Sequence, residues 1–124
     1  MLKLAIPLLH VSNPAAAEKF YCDKLGFQKT FAYRPFGEPG PCYFGLERDG
    51  IRIHLSSFPE DGKPGSAIVL ITENVDALFK EFTLKNTIID LAPTDQSWET
   101  EKCILKILMR TVFVLLNGQM KKPK

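Results

Sequence analysis

The stretch Ala5-Ile-Pro-Leu-Leu-His-Val-Ser-Asn-Pro-Ala-Ala-Ala-Glu-Lys-Phe-Tyr-Cys-Asp-Lys-Leu-Gly-Phe27 decides the fold. Leu4 to Val11 is apolar and stops at Ser12-Asn13-Pro14, which reads as a buried strand feeding a helix. The Asn13 side chain suits the N-cap, and Pro14 fits the first helical position, where its missing N–H costs nothing. Ala17, Phe20, Tyr21 and Leu25 then recur at helical spacing. Gly26 follows as the left-handed stop and Phe27 as the apolar residue after it, so a helix is predicted over roughly 14–25.

Working outward, Phe27, Lys29, Phe31 and Tyr33 alternate with Gln28, Thr30, Ala32 and Arg34, which predicts a strand. Pro35 to Pro41 holds too many prolines and glycines for regular structure and reads as a loop. Cys42 to Arg48 and Ile51 to Ser57 flank Asp49-Gly50, a strong hairpin signal. In the second arm Ile51, Ile53 and Leu55 share one face, while Arg52, His54 and Ser56 share the other. One face should meet a helix and the other should be partly polar. Residues 59–66 are dense in turn formers, and after them the order begins again. Ala67 to Thr72 reads as a strand, Asn74 caps a helix carrying Val75, Leu78, Phe79 and Phe82, Asn86 stops it, and Ile88 to Leu91 reads as a strand. The order β-α-β thus occurs twice, and this shared order, not residue identity, carries the repeat.

Composition narrows the class. With 124 residues, 45% hydrophobic and 24% charged, the chain has the size and balance of one globular domain. Its formal charge of +2 is too mild to argue for a nucleic-acid partner, because phosphate-tracking surfaces usually need a concentrated basic stripe, and none is expected. Cys22, Cys42 and Cys103 form an odd set without CxxC spacing, as expected of reduced thiols in a cytoplasmic protein. The N-terminal apolar run is short, is broken by Pro7 and lacks a small-residue cleavage site, so no signal peptide is predicted. Ile104 to Leu116, which contains Lys106 and Arg110, falls short of the about 20 apolar residues a membrane helix needs, so no membrane partner is expected. There is no G-x-S-x-G elbow around Ser56-Ser57, and Phe36-Gly-Glu-Pro-Gly40 lacks the context of a phosphate loop.

Ala5-Ile-Pro-Leu-Leu-His-Val-Ser-Asn13, Phe20-Tyr21 and Leu25-Gly26-Phe27 resemble the opening of the vicinal oxygen chelate superfamily, the glyoxalase/bleomycin resistance protein/dioxygenase group. The Ile-Pro-Leu start, the strand Gly50-Ile-Arg-Ile-His-Leu-Ser56 and Asp95-Gln-Ser-Trp98 look most like its bleomycin-resistance branch. The resemblance runs over roughly residues 4–100. It implies an α+β fold of two βαβββ modules, each a curved half-barrel sheet, within a single domain over 1–116. Module one would span 1–58 and module two 67–116, followed by a disordered basic tail over 117–124. It also implies a homodimer.

The resemblance frames function as a choice between binder and enzyme. Metalloenzymes of the superfamily place a His, Gln or Glu ligand about seven residues before the turn that Asn13 occupies, and here that position is Ile6, which cannot ligate. His10 and His54 remain as weak metal candidates by parity, without an evident third ligand. The leading expectation is therefore a protein without a cofactor that sequesters a planar cationic antibiotic of the bleomycin type without chemistry. By the resemblance, Phe36, ten residues after Gly26, and Trp98, the only tryptophan, would hold the planar part. Tyr33, His54, Arg52 and Ser56 would line the same cleft. The alternatives are a lyase, isomerase or dioxygenase that uses a divalent metal, or an inactive member.

After residue 100 the chain departs from the pattern. Glu101 to Asn117 has no Asp-Pro-Asp-Gly-Asn-like turn. Regrouping the codons for Cys103 to Asn117 from the third base of each permits Tyr-Ile-Lys-Asp-Pro-Asp-Glu-Asn-Gly-Ile-Arg-Phe-Val. That is the family-like ending, save for Glu or Ala where Gly would stand. The segment thus reads as a frameshifted version of the last hairpin; a gene with no such ending in the neighbouring frame past Thr100 would sink the idea. Ile104 to Leu116 suits either a strand or a helix, with Met109-Arg110-Thr111 the one place to bend it into a hairpin. The charge divides at the same point: residues 1–100 carry ten Lys and Arg against thirteen Asp and Glu, and residues 101–124 carry six against one. The basic balance belongs to the departing segment, and the mildly acidic body has the sign that attracts a cation.

Overall fold

The computed structural model describes residues 1–63, 67–87, 89–95, 101–106 and 112–117. They form an α+β fold in two compact units, Met1–Pro64 and Gly65–Lys124. In the first unit the elements are β1 (Leu8–His10), α1 (Pro14–Lys19), β2 (Gln28–Tyr33), β3 (Tyr43–Arg48) and β4 (Ile51–Ser56). They make a four-stranded sheet in the order β1-β4-β3-β2, with β1 parallel to β4 and the other pairs antiparallel.

The first strand is shorter than the apolar run that predicts it. Pro7 has no N–H for a ladder, so regular pairing begins at Leu8, although the Pro7 carbonyl still accepts from the His54 N–H at 3.0 Å. Asn13 caps α1 as expected, its side-chain oxygen accepting from the Ala16 N–H at 3.1 Å. The predicted helix over 14–25 holds only in part: beyond Lys19 the backbone widens to a π-helical turn over Phe20–Lys24, closed by the Leu25 N–H on the Phe20 carbonyl. Gly26 follows at φ 76°, and the Arg48 guanidinium donates to the Leu25 carbonyl at 2.7 Å, satisfying a group the helix end would leave unpaired. Asp49 and Gly50 both take positive φ, 53° and 79°, as a two-residue hairpin turn requires.

Alternation along the strands sends Leu9, Phe44, Leu46, Ile53 and Leu55 into the core with Ala17, Tyr21 and Leu25 from the helical segment, all at most 3% exposed. Each large apolar member contributes roughly 1.5–3 kcal/mol by leaving water. In β2 the predicted alternation fails. The ladder slips between Lys29 and Phe31, with Lys29 opposite Leu46 and Phe31 opposite Gly45, so Thr30 is an extra residue. Phe27 therefore lies buried on the helix side, whereas Phe31 and Tyr33, of the same sequence parity, lie exposed.

In the second unit β5 (Ala67–Thr72), α2 (Val75–Leu84), β6 (Ile89–Asp95), β7 (Glu101–Lys106) and β8 (Val112–Asn117) form a sheet in the order β5-β8-β7-β6. Here β5 runs parallel to β8 and the other pairs are antiparallel, repeating the arrangement of the first sheet. Asn74 caps α2 by accepting from the Ala77 N–H at 3.0 Å, and Asn86 takes φ 59° just past its end. β6 extends to Asp95, beyond the Leu91 expected. The segment after residue 100 is neither one continuous strand nor a helix: β7 and β8 pair as a hairpin, Lys102 opposite Leu116 and Lys106 opposite Val112. The expected bend at Met109-Arg110-Thr111 and the tail from residue 118 lie outside the described residues, whereas Asn117 belongs to β8. Among the described residues no helix is long and apolar enough to cross a membrane.

Candidate functional site

The face of the first sheet turned away from α1 collects the groups with chemistry to offer. Register places Leu8, His54, Gly45 and Phe31 in one row across β1, β4, β3 and β2, and His10, Ser56, Tyr43 and Tyr33 in the next. Because neighbours along a strand alternate, Leu9, Leu55 and Phe44 between these rows are core residues named above. The face is open: Phe31 is 43% and Tyr33 58% exposed.

Gly45 shapes the first row. A Cβ there would run into the Phe31 ring and the Thr30 hydroxyl, so only glycine lets the ring lie over the strand. Phe31 stacks on Tyr43, centroids 6.1 Å apart and planes 22° from parallel, and sets its edge against His54 at 5.2 Å. The Tyr43 hydroxyl lies 2.7 Å from His54 Nδ1. A phenol is the stronger donor of the two, which favours O–H···Nδ1 and leaves the imidazole proton on Nε2. Burial first, and the Asp61 charge second, push the Tyr43 phenol up, which keeps it protonated. Burial, aided by Arg52, holds His54 below the usual imidazole range. Arg52 in turn pairs with Glu47 at 3.5 Å, each countering the other's charge on this face.

A loop folds over the second row. Ser56, fully buried, donates its hydroxyl to Asp61 Oδ2 at 2.8 Å and accepts from the Phe58 N–H at 3.1 Å. His10 Nδ1 lies 3.0 Å from the Asp61 carbonyl oxygen and bonds to it. Phe58 stacks on Tyr33, centroids 6.4 Å apart. Gly62 takes φ 68°, and a Cβ there would meet the His10 backbone nitrogen at 3.0 Å. Sequence reading saw only turn formers in residues 59–66 and missed Asp61; the Asp61-Gly62 pair, of the same type as Asp49-Gly50, is the one local signal it offered.

Of the residues expected to bind a ligand, Tyr33, His54, Arg52 and Ser56 share this one face, Ser56 with its hydroxyl already committed to the loop. Phe36 is 76% exposed on the loop after β2 and stacks on no ring among the described residues. Trp98 lies outside the described residues. The metal candidates His10 and His54 both face this side, but the Nδ1 of each is occupied by a hydrogen bond. Among the described residues no three His, Cys, Asp or Glu side chains converge as a metal set. Cys22 and Cys42 are free thiols, and burial is the main cause that raises the Cys22 pKa. A second, open cleft of about 470 Å³ lies between Asn13, Ser57 and the loop of Pro39 and Pro41; Arg34 lines it, donating to the Gly40 carbonyl at 3.3 Å.

Comparison with known proteins agrees with this architecture. Residues 1–105 match the family model described as "Glyoxalase superfamily protein", and the match stops within β7. No curated protein matches the sequence. Among solved structures, the bleomycin resistance determinant encoded on transposon Tn5 superposes with a TM-score of 0.77 at 18% identity, covering 95% of this chain and 99% of that one. A bleomycin-binding protein complexed with bleomycin gives 0.75 at 18% identity, covering 95% and 100%. An antibiotic binding protein from a Streptomyces species gives 0.73 at 19% identity, covering 96% and 99%. At these identities the likeness establishes the fold.

Proposed function

The chain belongs to the glyoxalase superfamily, and from that premise we propose that it binds a planar, cationic small molecule of the bleomycin type on the aromatic face of its first sheet and sequesters it without chemistry. The observation that carries the reading is the ring cluster of exposed Phe31 and Tyr33 with half-buried Tyr43 and His54, held in place by their neighbours and by Gly45. A flat ligand laid on such rings gains contact area with little rotamer entropy to lose, because the rings are already ordered. Fold neighbours that bind bleomycin or another antibiotic support the ligand class. In this reading the protein is a homodimer, needs no cofactor, and adds Phe36 and Trp98 to the grip. His54, kept neutral, adds a hydrogen-bonding edge without a repelling charge.

Calorimetric titration with bleomycin, with and without added zinc, tests this. Binding should be independent of metal and should weaken about two- to tenfold in Phe31→Ala and in Tyr33→Ala, the worth of one ring contact. Tight zinc binding with turnover of an α-keto thiol adduct would overturn the reading in favour of a lyase.

A further inference from the structure

We propose that Asp61 selects charge on this face: its carboxylate, aimed by Ser56, receives the cationic part of a ligand whose planar part lies on Phe31 and Tyr33. The inference rests on the reading above that the aromatic face is the ligand site. Three ties fix Asp61 over the row His10, Ser56, Tyr43 and Tyr33: the buried Ser56 hydroxyl on its carboxylate, His10 Nδ1 on its carbonyl, and Gly62 pressed against the His10 backbone. Ser56 is a positioning residue, its other bond to the Phe58 N–H holding the hydroxyl in line with the carboxylate.

Among the described residues the charge of Asp61 has no ion-pair partner. Among the described residues no Lys, Arg or His nitrogen lies within 4 Å of its carboxylate, whereas Arg52 and Glu47 on the same face pair with each other. His10 reaches Asp61 only through the carbonyl, and His54 is turned to Tyr43. An anion held beside the electron-rich faces of Phe31, Tyr33 and Tyr43 favours a cation and opposes an anion in the same space. A loop whose only task was to close the sheet end would be served equally by asparagine, which offers Ser56 the same acceptor without the charge.

Two planar probes separate these roles: proflavine, a cation at neutral pH, and acridone, which is neutral. In fluorescence titrations of the full chain, the wild type should bind proflavine about tenfold more tightly than acridone, the scale of a hydrogen bond to a charged group. Asp61→Asn should bring the two probes to within about twofold of each other while acridone binding stays as in the wild type. Ser56→Ala, which keeps the charge and loses its aim, should give an intermediate preference. In the wild type the preference should also collapse in about 1 M salt, where screening reaches nearly to contact. Retention of the preference in Asp61→Asn, or in the wild type at high salt, overturns the role of Asp61 and leaves the aromatic face standing. Failure of the wild type to bind either probe overturns the face itself, and Asp61's role with it.

Discussion

Gly45 is where one added carbon would reorganise the aromatic face. Gly45→Ala should force Phe31 from its seat and cost about 1–3 kcal/mol, the range for overpacking a fitted contact, read from urea denaturation. Much of that loss should disappear in the Phe31→Ala background, and an equal loss there would show that the backbone, not the ring, makes the conflict. His54 gives a pH dependence. Its folded pKa lies below the free value of about 6.5, so in that window the unfolded chain holds a proton that the folded chain lacks. Stability should hold above about pH 6.5 and decline as the pH falls from there through the folded pKa, and His54→Gln should flatten that part of the profile of urea midpoints. At this scale parity from the Asp49-Gly50 turn was enough to bring Arg52, His54 and Ser56 to one face. Phe31's true neighbours were hidden by the slip at Thr30, and Asp61's by distance, since its bond to His10 spans 51 positions.

Helix starts were legible because capping is local chemistry. Asn13 and Asn74 each present an oxygen to a backbone N–H three residues on, and both were readable from Asn followed by an apolar periodicity. Asn74→Ala should cost about 1 kcal/mol, with Asn74→Asp close to neutral because its charge also suits the positive end of the helix, both measurable as shifts in denaturation midpoint. The end of the first helical segment was less legible. Gly26 announced a stop, but the widening over Phe20–Lys24 has no local signature in side-chain spacing. The apolar run after residue 100 lay beyond periodicity as well: strand, helix and hairpin fit it alike, and pairing with β5 decides among them.

Across the whole chain the two sheets repeat one plan, β1-β4-β3-β2 and β5-β8-β7-β6, and in each the strand latest in the chain sits inside the sheet. Among the described residues β8 is the sole partner of β5 and one of two partners of β7, although it lies past residue 105, where the match to the family model ends. A chain ended after Lys106 should therefore leave β5 unpaired and lose the protease resistance of its second unit, as limited proteolysis would show; a protected fragment beginning near Gly65 would contradict this. The order of synthesis gives the same topology a clock. β4 completes the first sheet by residue 56, but β5 must wait for Val112–Asn117, about sixty residues later. At about 5–20 residues per second, roughly 3–12 s separate the first sheet's completion from the second's. For the last forty-five residues or so of that interval, from Thr72 to Asn117, β5, with Val69 and Ile71 on its surface, is a nascent strand without a partner, and a ribosome-associated chaperone has its widest opportunity there.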